Sequence, residues 1–138
     1  MHNENPSPLL QSRWAYHASV ALLTFMYWGS GFQKLFDFSG TLGEMAHFNL
    51  APPAFFAVAT IIVQLAGSAL LIAGGRFAWV GAAALAAFTV ATIPVAHRFW
   101  ELEGMAAFLE KMVVLEHITV VGGLFVAAVA ASYHRRRS

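Results

Sequence analysis

The sequence contains no cysteine. That excludes disulfides, cysteine-ligated metal clusters and any dithiol chemistry carried by the chain itself. Charge is scarce too: of 138 residues only 11% are Asp, Glu, Lys or Arg, against 59% hydrophobic. A soluble domain of this length exposes a large fraction of its surface and covers it with charge. Too few charges are present for that, so lipid must be the solvent for much of this surface. No basic run occurs except Arg135, Arg136 and Arg137, and the formal net charge is +1. This is no footprint for nucleic acid. Also absent are HExxH, a Gly-rich phosphate loop after a strand, a serine-nucleophile elbow and a dinucleotide fingerprint. These absences point away from a stand-alone enzyme.

What is present is long apolar runs. A membrane span needs about 20 mostly apolar residues. Segments 14–36, 53–73, 77–95 and 112–133 meet that requirement. The second and third contain no charged residue and are apolar all round, unlike the striped helices of a soluble bundle. Residues 1–13 are polar and contain proline, and the run after them is too long for a signal-peptide core, so it is expected to be retained. The fold class expected is an all-α membrane protein, an up-down antiparallel bundle of four transmembrane helices. One domain is expected at 14–133, between a polar tail at 1–13 and a basic tail at 134–138.

The breaks have physical causes. Pro52-Pro53 suits a helix start, where the first N–H groups lack partners anyway. Gly74-Gly75-Arg76 allows a tight reversal, making an antiparallel hairpin of segments two and three. Pro94 is placed to kink the end of the third segment. Within the longer connections, 41–50 and 100–109 mix charges with Met, Phe and Leu, the composition of short interfacial helices. Arg13, Arg76 and the terminal arginines fall on one side of such a bundle, and Lys34, Arg98 and Lys111 on the other. The excess on the first side places both termini in the cytoplasm.

Polar side chains within lipid are costly and face protein or a water-filled cavity. Near the centre lies Gln64, with Ser68 a turn on and Gly67 beside it. Two readings stay open for Gln64: glue between helices and contact with a ligand. The other polar groups gather at the outer end. Lys34 and Asp37 end the first segment, His97 and Arg98 the third, and Glu116 and His117 sit ~6–7 Å inside the fourth, from a rise of about 1.5 Å per residue. Lys34, Arg98 and Lys111 can snorkel to the interface; a glutamate one turn down cannot. The expected site is a pocket open to the outer leaflet, floored by Gln64 and rimmed by Lys34, His97, Glu116 and His117. Tyr27, Trp28, Phe32 and Trp100 would line it. Gly31, Gly67, Gly123 and Ala127 are expected to pack helices closely. No histidine pair has i, i+4 spacing, so no metal is expected; His97, Glu116 and His117 are the one set that could converge on an ion.

Trp28-Gly29-Ser30-Gly31-Phe32-Gln33-Lys34-Leu35 is followed by Phe38-Ser39-Gly40-Thr41, then by Gln64-Leu65-Ala66-Gly67-Ser68, His97-Arg98-Phe99-Trp100 and Gly122-Gly123-Leu124. In these stretches the chain resembles the DoxX family of small bacterial four-helix membrane proteins. The resemblance implies a four-helix bundle in the bacterial cytoplasmic (inner) membrane. It also implies a link to quinone-dependent oxidoreductases, including thiosulfate oxidation, or to membrane complexes that defend against oxidative stress. Distant eukaryotic relatives act as assembly chaperones or cargo receptors. Members often carry an acid where this chain has Gln64, and an amide cannot relay a proton as a carboxylate does. The leading functional expectation is an accessory or quinone-contacting subunit of a membrane redox system, with quinone as the ligand and another membrane protein or a second copy as partner. The alternative is a structural or assembly subunit joined through the seam Gly123, Ala127 and Ala130. A small-solute transporter ranks last, because Gln64 alone is strongly polar at mid-membrane and no broken helix is evident.

Overall fold

The computed structural model describes residues 7–136. Residues 1–6 and 137–138, and with them His2, Arg137 and part of the two tails, lie outside the described residues. Six α-helices follow in order: α1 Arg13–Leu23, α2 Phe25–Phe36, α3 Phe38–His47, α4 Pro53–Ala73, α5 Ala78–Ala96 and α6 Gly104–Arg136. Short 3-10 turns at Gly75–Phe77 and Phe99–Glu101 complete the chain, and the described residues contain no strand.

The first apolar segment is not one helix but two. Ser12 caps α1 by accepting from the Ala15 N–H at 3.1 Å. The helix then breaks at Thr24, which is fully buried and donates its hydroxyl back to Val20 O at 2.7 Å. A buried threonine bonded to the carbonyl four residues earlier competes with the helical ladder and bends it. The indole Nε1 of Trp28 reaches over the break to Ala21 O at 3.0 Å, so that carbonyl keeps a donor. Asp37 then ends α2 and starts α3, its carboxylate accepting from the Gly40 N–H at 3.0 Å. That cap starts α3 at Phe38, three residues before the 41–50 stretch expected as a short interfacial helix.

Three stretches are long and apolar enough to cross a membrane: Pro53–Ala73, Gly75–Glu101 and Gly104–Arg136. α4 begins with Pro53 and stops at Gly74, whose φ of 75° suits glycine. It packs against α1, α2, α3 and α5. The α4–α5 contact is backbone on backbone: a methyl group at Gly81 would lie 2.5 Å from the Gly67 carbonyl oxygen. α5 ends two residues after Pro94. α6 is 33 residues, about 50 Å of continuous helix. It absorbs most of the 100–109 stretch expected as a separate interfacial helix. From Met105 to Val121 it has neither proline nor glycine, and good helix formers fill the junction.

Tyr27, Leu71, Leu85 and Leu124 are the largest apolar side chains at the centre. Outward faces are just as apolar: Phe55, Ile62, Trp79, Ile118, Phe125 and Val126 are all exposed. Water would penalise such a surface at roughly 25 cal/mol per Å²; hydrocarbon does not. The molecule is an all-helical membrane protein with the bilayer as its outer solvent.

Candidate functional site

A cavity of about 460 Å³ lies between α2, α3, α4 and α5, with His117 of α6 at its edge. Its walls are apolar, built by Met26, Met45, Phe48, Phe56, Val63 and Phe88. Polar groups form two levels. The deeper level lies on a helical midpoint: Gln64 is 11 residues into α4, about 16 Å from its start. Here Gln64 is 5% exposed and Tyr27 and Thr89 are 1% exposed. The amide Nε2 of Gln64 donates to Ser30 Oγ at 3.4 Å. Its Oε1 is buried without a hydrogen-bond partner, as is Ser68 Oγ one turn on.

The outer level is ionic. Lys34 donates to Glu44, joining α2 to α3 across the cavity wall. His97 Nδ1 meets Glu110 Oε2 at 2.8 Å, joining the end of α5 to the start of α6. The His97 and His117 rings meet edge to face, with centroids 4.8 Å apart. His117 Nδ1 donates to Val113 O at 2.9 Å within its own helix.

These bonds fix where the hydrogens point. Carbonyl and carboxylate oxygens only accept. Thr89 donates to Leu85 O at 2.7 Å, so Tyr27 must be the donor in its bond to Thr89 Oγ1. Thr92 is likewise committed to Thr89 O at 2.7 Å. The two histidines donate through Nδ1, to Glu110 Oε2 and to Val113 O. Gln64 Oε1 is thus a bare acceptor at the deep end of the cavity, and the Lys34 ammonium supplies donors at the other level. A ligand that brings a hydroxyl or N–H group satisfies the bare oxygen; water-excluded acceptors left bare cost about 1–3 kcal/mol each.

Five of the eight expected pocket residues line the cavity: Tyr27, Lys34, Gln64, His97 and His117. Three do not. Trp28 is occupied with the α1–α2 break and stacks edge-on against Phe25 at 4.7 Å. Trp100 is 54% exposed on its 3-10 turn. Glu116 is exposed on the outer side of α6, because neighbours on a helix point about 100° apart and His117 takes the inward direction. Phe32 is also outside, stacked on Phe36. With Glu116 turned away, His97, Glu116 and His117 do not converge. The described residues contain no group of three or more His, Cys, Asp or Glu that could hold a metal.

Sequence reasoning missed Glu44, Glu110, Ser30 and Thr89. Glu110 carried a usable signal, lying two helical turns before His117 on the same face. Thr89 did as well, as one of two hydroxyls in an otherwise apolar segment.

The small residues sit at close approaches. A methyl at Gly31 would lie 2.8 Å from Leu65, one at Gly67 3.0 Å from Leu85, and one at Gly123 2.9 Å from Leu23; Ala127 is buried. The seam of Gly123 and Ala127, expected to receive a partner, is therefore spent inside the chain, with Gly123 packing against α1.

A model of the DoxX family matches residues 21–98, which takes in every cavity-lining segment but the edge on α6. The chain is also similar to the inner membrane protein YphA of Escherichia coli (strain K12), 24% identical over 99 residues, 72% of this chain and 70% of that one. No solved structure gives a significant match.

Proposed function

The chain belongs to the DoxX family, and from that premise we propose that it is a four-span inner-membrane protein whose cavity takes a lipid-soluble ligand of the quinone class, as an accessory subunit of a membrane redox or oxidative-stress system. In this reading α1 and α2 together make the first span, with the Thr24 break inside it, and residues 14–133 form one up-down domain. Both termini are cytoplasmic, in keeping with the arginines at that end. The inner membrane is the address in the name of the Escherichia coli relative.

The observation that carries the reading is the cavity itself. About 460 Å³ of apolar-walled space ends at mid-membrane on Gln64, an unpartnered amide oxygen in a 95%-buried side chain. Amphipathic ligands fit such sites: an apolar body in the walls, and a polar head ring against a few placed groups. A quinone-class ring partitions into the membrane and brings oxygens to that depth. Its reduced form carries a hydroxyl hydrogen that the bare Gln64 Oε1 can accept.

Extraction in mild detergent, followed by chromatography of the co-purifying lipid fraction, tests this. Quinone should accompany the wild-type chain, and decyl-ubiquinone should bind the stripped protein. Binding should weaken in Gln64→Leu and His117→Ala. A chain that carries no quinone, and whose variants behave as wild type, would remove the reading.

One observation favours the alternative of an assembly subunit. Glu116 is exposed on the span-forming part of α6 and belongs to none of the ion pairs among the described residues. A carboxylate facing lipid is expensive. A second membrane helix, from another protein or another copy, would relieve that cost by offering it a donor. The interface would then be the Glu116 side of α6, and Glu116→Leu should dissociate the assembly in detergent.

A further inference from the structure

At the opposite end of the bundle a second pocket, of about 240 Å³, opens where α1 begins and α4 and α6 end. Arg13, His17, His134 and Arg135 line it, with the Gly74-Gly75 turn as its base. No acid lies there. The described carboxylates are Asp37, Glu44, Glu101, Glu103, Glu110 and Glu116. The last of them is 15 residues before Ala131, about 22 Å away along α6. The ion pairs found among the described residues all belong to the other end: Lys34–Glu44, His97–Glu110 and Arg98–Glu101.

A helix C-terminus normally repels anions through its free carbonyls. Here that repulsion is blunted. Tyr16 donates its hydroxyl to Leu71 O at 2.6 Å, and His17 Nδ1 donates to Ile72 O at 2.6 Å. The Gly74 N–H covers Leu70 O and Leu71 O, each at 3.2 Å. So the last turn of α4 is capped from within, and the two guanidiniums are left on an opening where no described carboxylate pairs with them. The tilted stack of Tyr16 on His134, 5.4 Å between centroids, holds the start of α1 to the end of α6 and keeps the two arginines on one opening. The pocket stands at the helix ends, the depth at which lipid phosphates lie.

We propose that this pocket binds a phosphoryl anion, supplied by the headgroup of an anionic phospholipid or by free phosphate, through Arg13 and Arg135. Arginine suits it because its planar fork meets two phosphate oxygens at once. Basic pockets between helix ends are known to take such headgroups, and each arginine that faces the bound phosphoryl group contributes about fivefold in affinity. This site is independent of the cavity around Gln64.

Native mass spectrometry of the full chain in neutral detergent tests it, with phosphatidylglycerol, phosphatidylethanolamine and inorganic phosphate as probes. Phosphatidylglycerol should be retained about tenfold over phosphatidylethanolamine. The variant Arg13→Gln/Arg135→Gln should lose roughly 25-fold of that retention. Arg135→Gln alone, on the exposed last turn of α6, should lose about fivefold and cannot unfold the core. Arg76→Gln is the control: Arg76 lies over the Phe77 ring, 4.4 Å from its centroid, outside the pocket, and its loss should change nothing. Displacement of the lipid by inorganic phosphate would support the proposal and identify the phosphoryl group as sufficient. Retention without displacement would also support it and identify the lipid as the ligand. Equal retention of both lipids, or of phosphatidylglycerol by wild type and double variant, would overturn it. So would an Arg76→Gln loss as large as the double variant's, which would mean diffuse surface charge.

Discussion

Replacing Gln64 by leucine separates the two roles that a mid-membrane amide can play. The side chain makes one bond, Nε2 to Ser30 Oγ at 3.4 Å, and leaves Oε1 buried and unpartnered. Hydrogen bonds between membrane helices average about 0.6 kcal/mol, and a bond this long sits at the weak end. A buried acceptor without a partner costs about 1–3 kcal/mol. Leucine removes both, is close in volume and fills the same space with apolar atoms. The empty protein should therefore be as stable or more stable, by about 1 kcal/mol, while ligand affinity falls tenfold or more. For a chain of this length that is an upward shift of roughly 2–5 °C in the apparent melting temperature. The assay is thermal unfolding in detergent, followed by intrinsic fluorescence, with and without decyl-ubiquinone. Added ligand should raise the wild-type transition and leave that of Gln64→Leu unmoved, because only binding to the folded state stabilises it. A fall of several degrees in the ligand-free variant, with its response to ligand intact, would refute the reasoning and make Gln64 interhelical glue.

Further outcomes follow from the same coordinates. Gly81→Ala drives a methyl to 2.5 Å from Gly67 O, a backbone atom that cannot yield, so the α4–α5 hairpin must open; a loss of about 3 kcal/mol or a collapse in folded yield is expected. Gly122→Ala meets nothing within 4 Å and should stabilise α6 by up to about 1 kcal/mol, read in the same melting assay. A double-mutant cycle of Tyr27→Phe and Thr89→Val should give a coupling of about 0.5–1.5 kcal/mol, since their hydroxyls are bonded to each other in the core; additive effects would deny that bond. An alkaline phosphatase fusion at Ser138 should be inactive, as a cytoplasmic terminus requires, and an active one would invert the bundle.

Much of the fold was legible because lipid imposes a plain code. The bounds of α4 follow from an apolar run closed by Pro53 and Gly74, and α5 from a second run with no charge in it. The Thr24 break was not legible. A threonine in an apolar segment looks the same whether it bonds back to Val20 or across to a neighbour, and only its burial decides. The long α6 was hidden for a different reason. Glu101 and Glu103 marked the stretch 100–109 as interfacial, yet from Gly104 local propensity carries one helix on through Glu110 and Lys111. At the site, Gln64, Lys34, His97 and His117 stood out as costly groups in costly places. Choosing Glu110 over Glu116 needed the helical phase: His117 points inward, which turns Glu116 out and brings Glu110, seven residues earlier, onto the inward face beside His97.

The central claim is that a lipid-soluble ligand occupies the cavity that ends on Gln64. Photolabelling with an azido-quinone, followed by peptide mapping, tests it most directly. Adducts should fall on the α2 stretch from Met26 to Lys34 and the α5 stretch from Phe88 to His97, and should vanish with excess decyl-ubiquinone. Adducts confined to the exposed face of α6, at Ile118, Phe125 and Val126, and insensitive to that competitor, would contradict it.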